Sequence, residues 1–261
     1  MSPLDDYGPW ALVTGASEGI GKALARELAA QGLSLVLVAR RGERLQELAN
    51  ELRRDRRVET LVLALDLARP EAIVELDEAT RSLDVGLVVA AAGFGSSGSF
   101  LDSELDNEID MLNVNCRAAL EMSHVFGQRL RERGRGGLIL MSSLLAFQGV
   151  PRASNYAATK AYIQSLAEAL HIELAPHGVD VVASAPGPVR SGFAERADMT
   201  MSMTSSPEAV AKGTLRALGR RTTVRPGALS KALEWSLKTL PRPGRVRILQ
   251  QVMRGMTQES A

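Results

Sequence analysis

Short apolar runs rich in Val, Leu and Ala alternate along the chain with longer amphipathic stretches. The runs are WALVT (10–14), LSLVLVA (33–39), TLVLAL (60–65), VGLVVAA (85–91), GLILMS (137–142) and VDVVASA (179–185). Between the early runs, KALARELAAQG, ERLQELANELRR and PEAIVELDEATRSL repeat apolar positions every three to four residues, the period of a helix with one buried face. Strands apolar on both sides and separated by helices predict a parallel sheet covered on both faces: a doubly wound α/β fold of three αβα layers. Gly32 and Gly178 stand where helices should end, and Ser206 followed by Pro207 should start one.

Composition narrows the picture without changing it. A chain of 261 residues can bury one large core, so a single domain over 1–261 is expected. Its 31 Lys+Arg and 30 Asp+Glu nearly cancel, which makes nucleic acid a poor partner. Cys116 is the one cysteine, so no internal disulfide and no multi-cysteine metal site can form. Three histidines, His124, His171 and His177, show no ligand spacing with carboxylates. The acidic start MSPLDDYGPW is unlike a signal peptide and no apolar run reaches membrane-spanning length, so a reducing cytoplasm is the expected compartment.

The first chemistry is in TGASEGIG, Thr14 to Gly21, between the first strand and the first helix. Glycines there let backbone turn sharply and approach a pyrophosphate, whose charge meets the free N–H groups of the helix. Gly15, Ser17, Glu18, Gly19, Ile20 and Gly21 are therefore candidate dinucleotide contacts. The same letters contain Gly-x-Ser-x-Gly around Ser17, the nucleophile elbow of α/β hydrolases. Several strands precede that elbow in hydrolases, and the residues before Trp10 leave no room for them. At the end of the second strand, where an acid would bond the ribose hydroxyls of NAD, stand Arg40 and Arg41. Two guanidiniums suit a 2′-phosphate, so NADP(H) is the expected cofactor. Asp66, with Leu67 beside it after the third strand, suits the adenine amino group or the cap of the next helix.

In SNYAATKAYIQSL, Tyr156 and Lys160 lie four residues apart and share a helix face. A free phenol titrates near pH 10, and an ammonium about 4 to 5 Å away, at an effective dielectric near 20, would favour its ionised form by roughly 3 to 4 kcal/mol. The expectation is a phenol whose pKa is lowered by roughly two to three units, into the range useful for general acid–base work. Ser143, at the end of the fifth strand in LMSS, can bond a carbonyl oxygen as charge develops on it. Its neighbour Ser142 reads as a structural serine bonded to backbone.

Taken together, TGxxxGxG, a serine, YxxxK and a later Pro-Gly resemble the classical short-chain dehydrogenase/reductase family, over about Trp10 to Phe193. The resemblance implies a Rossmann fold and hydride transfer between nicotinamide and a carbonyl or secondary alcohol. It implies Tyr156 as proton donor, Lys160 as the tyrosine's partner and a ribose ligand, and Ser143 as the residue that orients substrate. Asn115 in MLNVNC matches the family's helix asparagine, which helps hold a proton relay to the lysine, with Asn113 as the nearby alternative. Pro186, Gly187, Val189 and Ser191 in PGPVRSGF match the family's nicotinamide-contacting segment, with serine where threonine is usual. One departure is AAAG, Ala90 to Gly93, in place of the family's NNAG. Ala92 and Gly93 keep the close approach to the cofactor, while the sheet loses two bracing asparagines.

Beyond Ser191, the segment FAERADMTMSMTSS carries Phe193, Met199, Met201 and Met203, and the resemblance makes residues 190–205 a substrate lid suited to an apolar guest. From Arg216 to Arg254, ten Lys or Arg oppose one acid, Glu234, on two helical patterns. Such a basic amphipathic extension, over 225–261, could meet an anionic membrane surface or an acyl carrier, pack on its own protein, or join a second subunit in a homodimer or homotetramer. The pattern is closest to the 3-oxoacyl reductase and hydroxysteroid dehydrogenase branches. A catalytically silent dinucleotide-sensing protein is the alternative.

Overall fold

The computed structural model describes residues 5–190, 192, 204–227 and 241–256. Seven parallel strands form one sheet in the order β3-β2-β1-β4-β5-β6-β7. They are β1 (Trp10–Thr14), β2 (Ser34–Ala39), β3 (Thr60–Ala64), β4 (Val85–Ala90), β5 (Gly136–Met141), β6 (Val179–Ser184) and β7 (Thr223–Val224). The helices are α1 (Gly19–Ala30), α2 (Gly42–Arg56), α3 (Ala72–Thr80), α4 (Leu105–Leu112), α5 (Ala118–Arg133), α6 (Ser154–Leu174), α7 (Pro207–Ala217) and α8 (Arg242–Met256).

The period-two geometry of a strand explains why the runs are apolar throughout. Ala11, Val13, Leu35, Leu37, Leu87, Val89, Ile139 and Val182 point to one face, against α1, α2 and α7. Their neighbours Leu12, Val36, Val38, Val88, Leu138, Leu140, Val181 and Ala183 point to the other, against α3, α5 and α6. Both faces are dry, so the sheet is the middle of three layers, as the alternation predicts.

The backbone of AAAG is held by a side chain from another strand. Buried Thr14 accepts from the N–H groups of Ala91 (3.1 Å) and Ala92 (3.0 Å), and its hydroxyl donates to the Val89 carbonyl. This ties the carboxyl ends of β1 and β4 together where the strand order reverses direction, the place where such sheets leave a crevice.

The predicted helix stops and start are as expected. Gly32 and Gly178 take φ of +90° and +70°, and Ser206 accepts from the Ala209 N–H to cap α7. Two features have no counterpart in the sequence reading. The short edge strand β7 pairs with β6, and a five-residue π-helical turn, Asn113–Arg117, joins α4 to α5. The alternatives left open for the basic extension resolve in part: Leu249 and Met253 of α8 are buried against Val150, Ala153 and Ala157 of the same chain. Residues 228–240 lie outside the described residues. Among the described residues no helix is long and apolar enough to cross a membrane.

Candidate active site

The carboxyl ends of the strands open into a crevice of about 760 Å³. Its floor begins at the glycine-rich turn, whose geometry demands glycine at two places. Gly15 has φ +65°, and a Cβ there would lie 2.8 Å from the Ala91 carbonyl oxygen. A Cβ on Gly21 would lie 2.3 Å from the Gly15 carbonyl oxygen. The turn can close onto α1 only because both side chains are absent. Gly19, with φ +56°, and Glu18, the residue before α1, complete it, and Ile20 packs on the core below.

Around this floor the strand ends supply polar groups. Arg40 and Arg41 follow β2 and line the crevice, and so does Arg44, one turn into α2, which the sequence reading missed. Arg41 donates to the Ser17 hydroxyl at 3.0 Å and pairs with Glu18 at 2.7 Å. Ser17 thus has a guanidinium as its partner, which leaves the elbow reading without a base. Asp66 also lines the crevice, with Leu67 buried beside it. Its carboxylate accepts from the Ala68 N–H at 3.0 Å and lies 4.0 Å from Arg40. The expected helix-cap alternative is corrected: Asp66 closes its own turn, while α3 starts later, after Glu71.

Toward the other end, Ser143, Tyr156 and Lys160 converge on the same space. Ser143 sits just past β5 and bonds the Tyr156 side chain. Lys160, buried on α6, donates to the Met141 carbonyl at 2.9 Å, and its Nζ lies 5.7 Å from the centre of the Tyr156 ring. Ser142 donates to the Lys160 carbonyl, the structural role read for it.

The electrostatics correct one expectation. Tyr156 is not made acidic in the free site; burial pushes it up to about 12, with the Ser143 hydrogen bond acting in the opposite sense. Burial also pushes Lys160 down to about 8. Desolvation penalises the charged form of both groups and is the largest influence on each.

Asn115, held by the π-helical turn, is buried and fully bonded. Its Oδ1 accepts from the Phe94 N–H at 3.1 Å, and its Nδ2 donates to the Phe94 carbonyl at 2.8 Å and to Thr159 at 3.1 Å. A Cβ on Gly93 would meet Asn115 Oδ1 at 3.0 Å and Lys160 Nζ at 3.3 Å, so Gly93 is the gap that lets the two approach. Inserted turns of this kind often mark functional positions. Ala92 completes this rim.

The loop after β6 closes the far wall. Pro186, whose carbonyl accepts from the Leu144 N–H at 2.9 Å, Gly187 and Val189 line the crevice, and Val189 bridges to Ser205. Ser191 and the methionine segment 193–203 lie outside the described residues. The opposite wall is apolar: Leu144, Leu145, and from α8 Ile248, Leu249, Val252 and Met253. No motif announces α8 as a site element; only its apolar spacing could have suggested it.

The glycine turn and the arginine and aspartate cluster beside it fit a dinucleotide. Comparison with known proteins agrees. A family model described as short chain dehydrogenase matches residues 9–201, and the chain belongs to that family. It is 33% identical over 235 residues to the 7beta-hydroxysteroid dehydrogenase of Clostridium sardiniense, covering 88% of this chain and 90% of that one. It is also 34% identical over 228 residues to a Mus musculus protein named inactive hydroxysteroid dehydrogenase-like protein 1, covering 84% and 69%. A solved structure concerned with 7beta-hydroxysteroid dehydrogenase stereoselectivity superposes with a TM-score of 0.88 at 30% identity, covering 95% of this chain and 99% of that one. A short-chain dehydrogenase from Sphingobium yanoikuyae in complex with NADPH gives 0.81 at 28%, covering 97% and 98%. The protein is thus an oxidoreductase built to use a nicotinamide dinucleotide on a carbonyl or alcohol.

Proposed function

We propose that this protein is an NADP(H)-dependent oxidoreductase that interconverts a ketone and a secondary alcohol on a bulky apolar molecule, steroid-like or 3-oxoacyl in class. The observation that carries this reading is the convergence of Ser143, Tyr156 and Lys160 on a crevice whose outer wall is Leu144, Leu145 and the apolar face of α8. Three arginines at the adenosine end support the phosphorylated cofactor, as does the NADPH complex of the Sphingobium relative.

The bound cofactor supplies or takes the hydride at its nicotinamide ring. In reduction, Tyr156 gives its phenolic proton to the substrate oxygen as hydride reaches the carbon, and Ser143 bonds that oxygen while charge builds on it. Lys160 holds positive charge beside the phenol and so limits the cost of the phenolate left behind. Asn115 fixes the Phe94 backbone and Thr159, the neighbour of Lys160, and thereby positions the lysine. In oxidation the proton moves the other way.

The chain is proposed to form a single nucleotide-binding domain of the cytoplasm, with 190–205 as its lid. A homodimer or homotetramer is supported by an exposed apolar row on α4, Leu105, Ile109 and Leu112.

A second reading, a dinucleotide-sensing protein without turnover, is favoured by the likeness to the inactive Mus musculus relative. The deciding experiment mixes protein, NADPH and a panel of a steroid ketone, a 3-oxoacyl thioester and a small ketone, and follows nicotinamide absorbance. Consumption with the bulky ketones and little with the small one is expected. Tight NADPH binding with no consumption across the panel would establish the sensor instead.

A further inference from the structure

The end of the crevice beside the glycine turn carries a dense cluster of charge. Arg40, Arg41, Arg44, Glu18 and Asp66 all line it. Two of the arginines grip one carboxylate: Glu18 Oε1 lies 2.7 Å from Arg41 Nη2, and Glu18 Oε2 lies 3.3 Å from Arg44 Nη1. Arg41 is held further by the Ser17 hydroxyl. Glu18 is the residue before α1, yet its side chain makes no capping bond to that helix. Its carboxylate is therefore free of structural duty to the helix and is committed to the two guanidiniums.

A carboxylate held by two arginines on a pocket wall is an anion site filled by the chain's own anion. We propose that Glu18 is a specificity-determining residue that occupies Arg41 and Arg44 in place of the 2′-phosphate and sets how far the site prefers the phosphorylated dinucleotide. The inference rests on the NADP(H) reading above and deepens it.

Two physical consequences follow from the same contacts. A 2′-phosphate must displace the Glu18 carboxylate before it can pair with the arginines, so its binding is an ion exchange rather than a simple gain of two charge-assisted bonds. Once displaced, Glu18 stays within repulsive reach of the phosphate, because it is anchored by the glycine turn. NAD(H) leaves the pairs intact, so the arginines remain partnered when it binds. Glu18 therefore works against phosphate preference on both counts and makes the site more permissive than its arginines alone imply. The pairs are partly solvent-exposed, so the effect is moderate, about tenfold in affinity.

Glu18→Gln is the informative change, since it keeps the shape of a side chain packed against Gly192, where an added Cβ would meet Glu18 Oε2 at 3.0 Å. Binding is measured by calorimetry, without turnover, for adenosine 2′,5′-bisphosphate against 5′-AMP and for NADP+ against NAD+. Glu18→Gln should tighten the two 2′-phosphorylated ligands about tenfold and leave 5′-AMP and NAD+ within about twofold, which also shows that the variant is folded. The gain should vanish when Arg41 and Arg44 are both alanine. Equal tightening of all four ligands, no tightening, or a gain that survives loss of both arginines would overturn the proposal. A wild-type protein that binds the bisphosphate no better than 5′-AMP would refute the NADP(H) reading. A selective gain in Glu18→Gln would still support Glu18 as the mask in that case.

Discussion

At Tyr156 burial and the Ser143 hydrogen bond act in opposite directions, and the balance has consequences that can be measured. With the phenol pushed up to about 12, its protonated form persists through neutral pH, so ketone reduction should be nearly flat with pH up to mildly alkaline conditions. Alcohol oxidation needs the phenolate and should rise with pH; initial rates in both directions across pH 6 to about 10 check this. Tyr156→Phe should lower turnover by about 10² to 10⁴ while leaving cofactor binding intact. Lys160 provides a stability test whose sign is fixed by its depressed value. Below about 8 the folded protein bears the full cost of a buried ammonium; between about 8 and 10.5 only the unfolded chain holds that proton, so wild-type stability rises with pH in that window. Lys160→Met removes this dependence. Its stability relative to wild type should therefore fall by roughly 3 kcal/mol from pH 7 to above pH 10, as read by denaturant titration. Tyr156 opposes this trend only above pH 10, where its raised value begins to favour unfolding. The sequence placed these side chains correctly on one face, but the opposing weight of desolvation depends on how deeply the surrounding walls enclose them.

At the scale of elements, the runs of β-branched and leucine residues located six strands to within one residue at each end, because a strand buried on both faces leaves no polar position to blur its limits. Helix starts were less legible. The apolar periodicity starts at Lys22, whereas α1 begins at Gly19, since the glycines that make the turn also form its first residues. The π-helical turn left no trace in the sequence, because one extra residue in a helix alters its phase without altering its composition. The same is true of β7, two residues long and defined only by pairing with β6. Gly21→Ala should weaken dinucleotide binding at least about tenfold, because its Cβ would meet backbone that cannot move without opening the turn; a titration with NADPH checks it. Met253, only 2% exposed, belongs to the wall between α8 and the tyrosine's surroundings. Met253→Ala should cost about 2 to 4 kcal/mol of stability and raise KM for bulky ketones more than for small ones.

For the whole molecule, near-neutral charge and two dry faces of one sheet make a body whose remaining apolar surface is informative. Leu105, at 68% exposure, Ile109 and Leu112 recur at helical spacing on α4, and no other described element covers them. Replacing Leu105 and Ile109 together by lysine should shift the protein toward monomer in light scattering, with little change in folded stability, since neither side chain is buried within the chain. An unchanged mass would overturn α4 as a subunit contact.

What the sequence determined by itself was the alternation that makes a parallel sheet, the glycine turn, and the serine, tyrosine and lysine that line the same crevice. Each of these is a local property: a period, a missing Cβ, a spacing of four on a helix. Three further features became visible only when the chain was folded: the grip of Arg41 and Arg44 on Glu18, the Thr14 brace between β1 and the end of β4, and the apolar wall that α8 adds to the crevice. They join residues that are more than twenty positions apart, so their meeting depends on the order of strands in the sheet. No local pattern encodes that order.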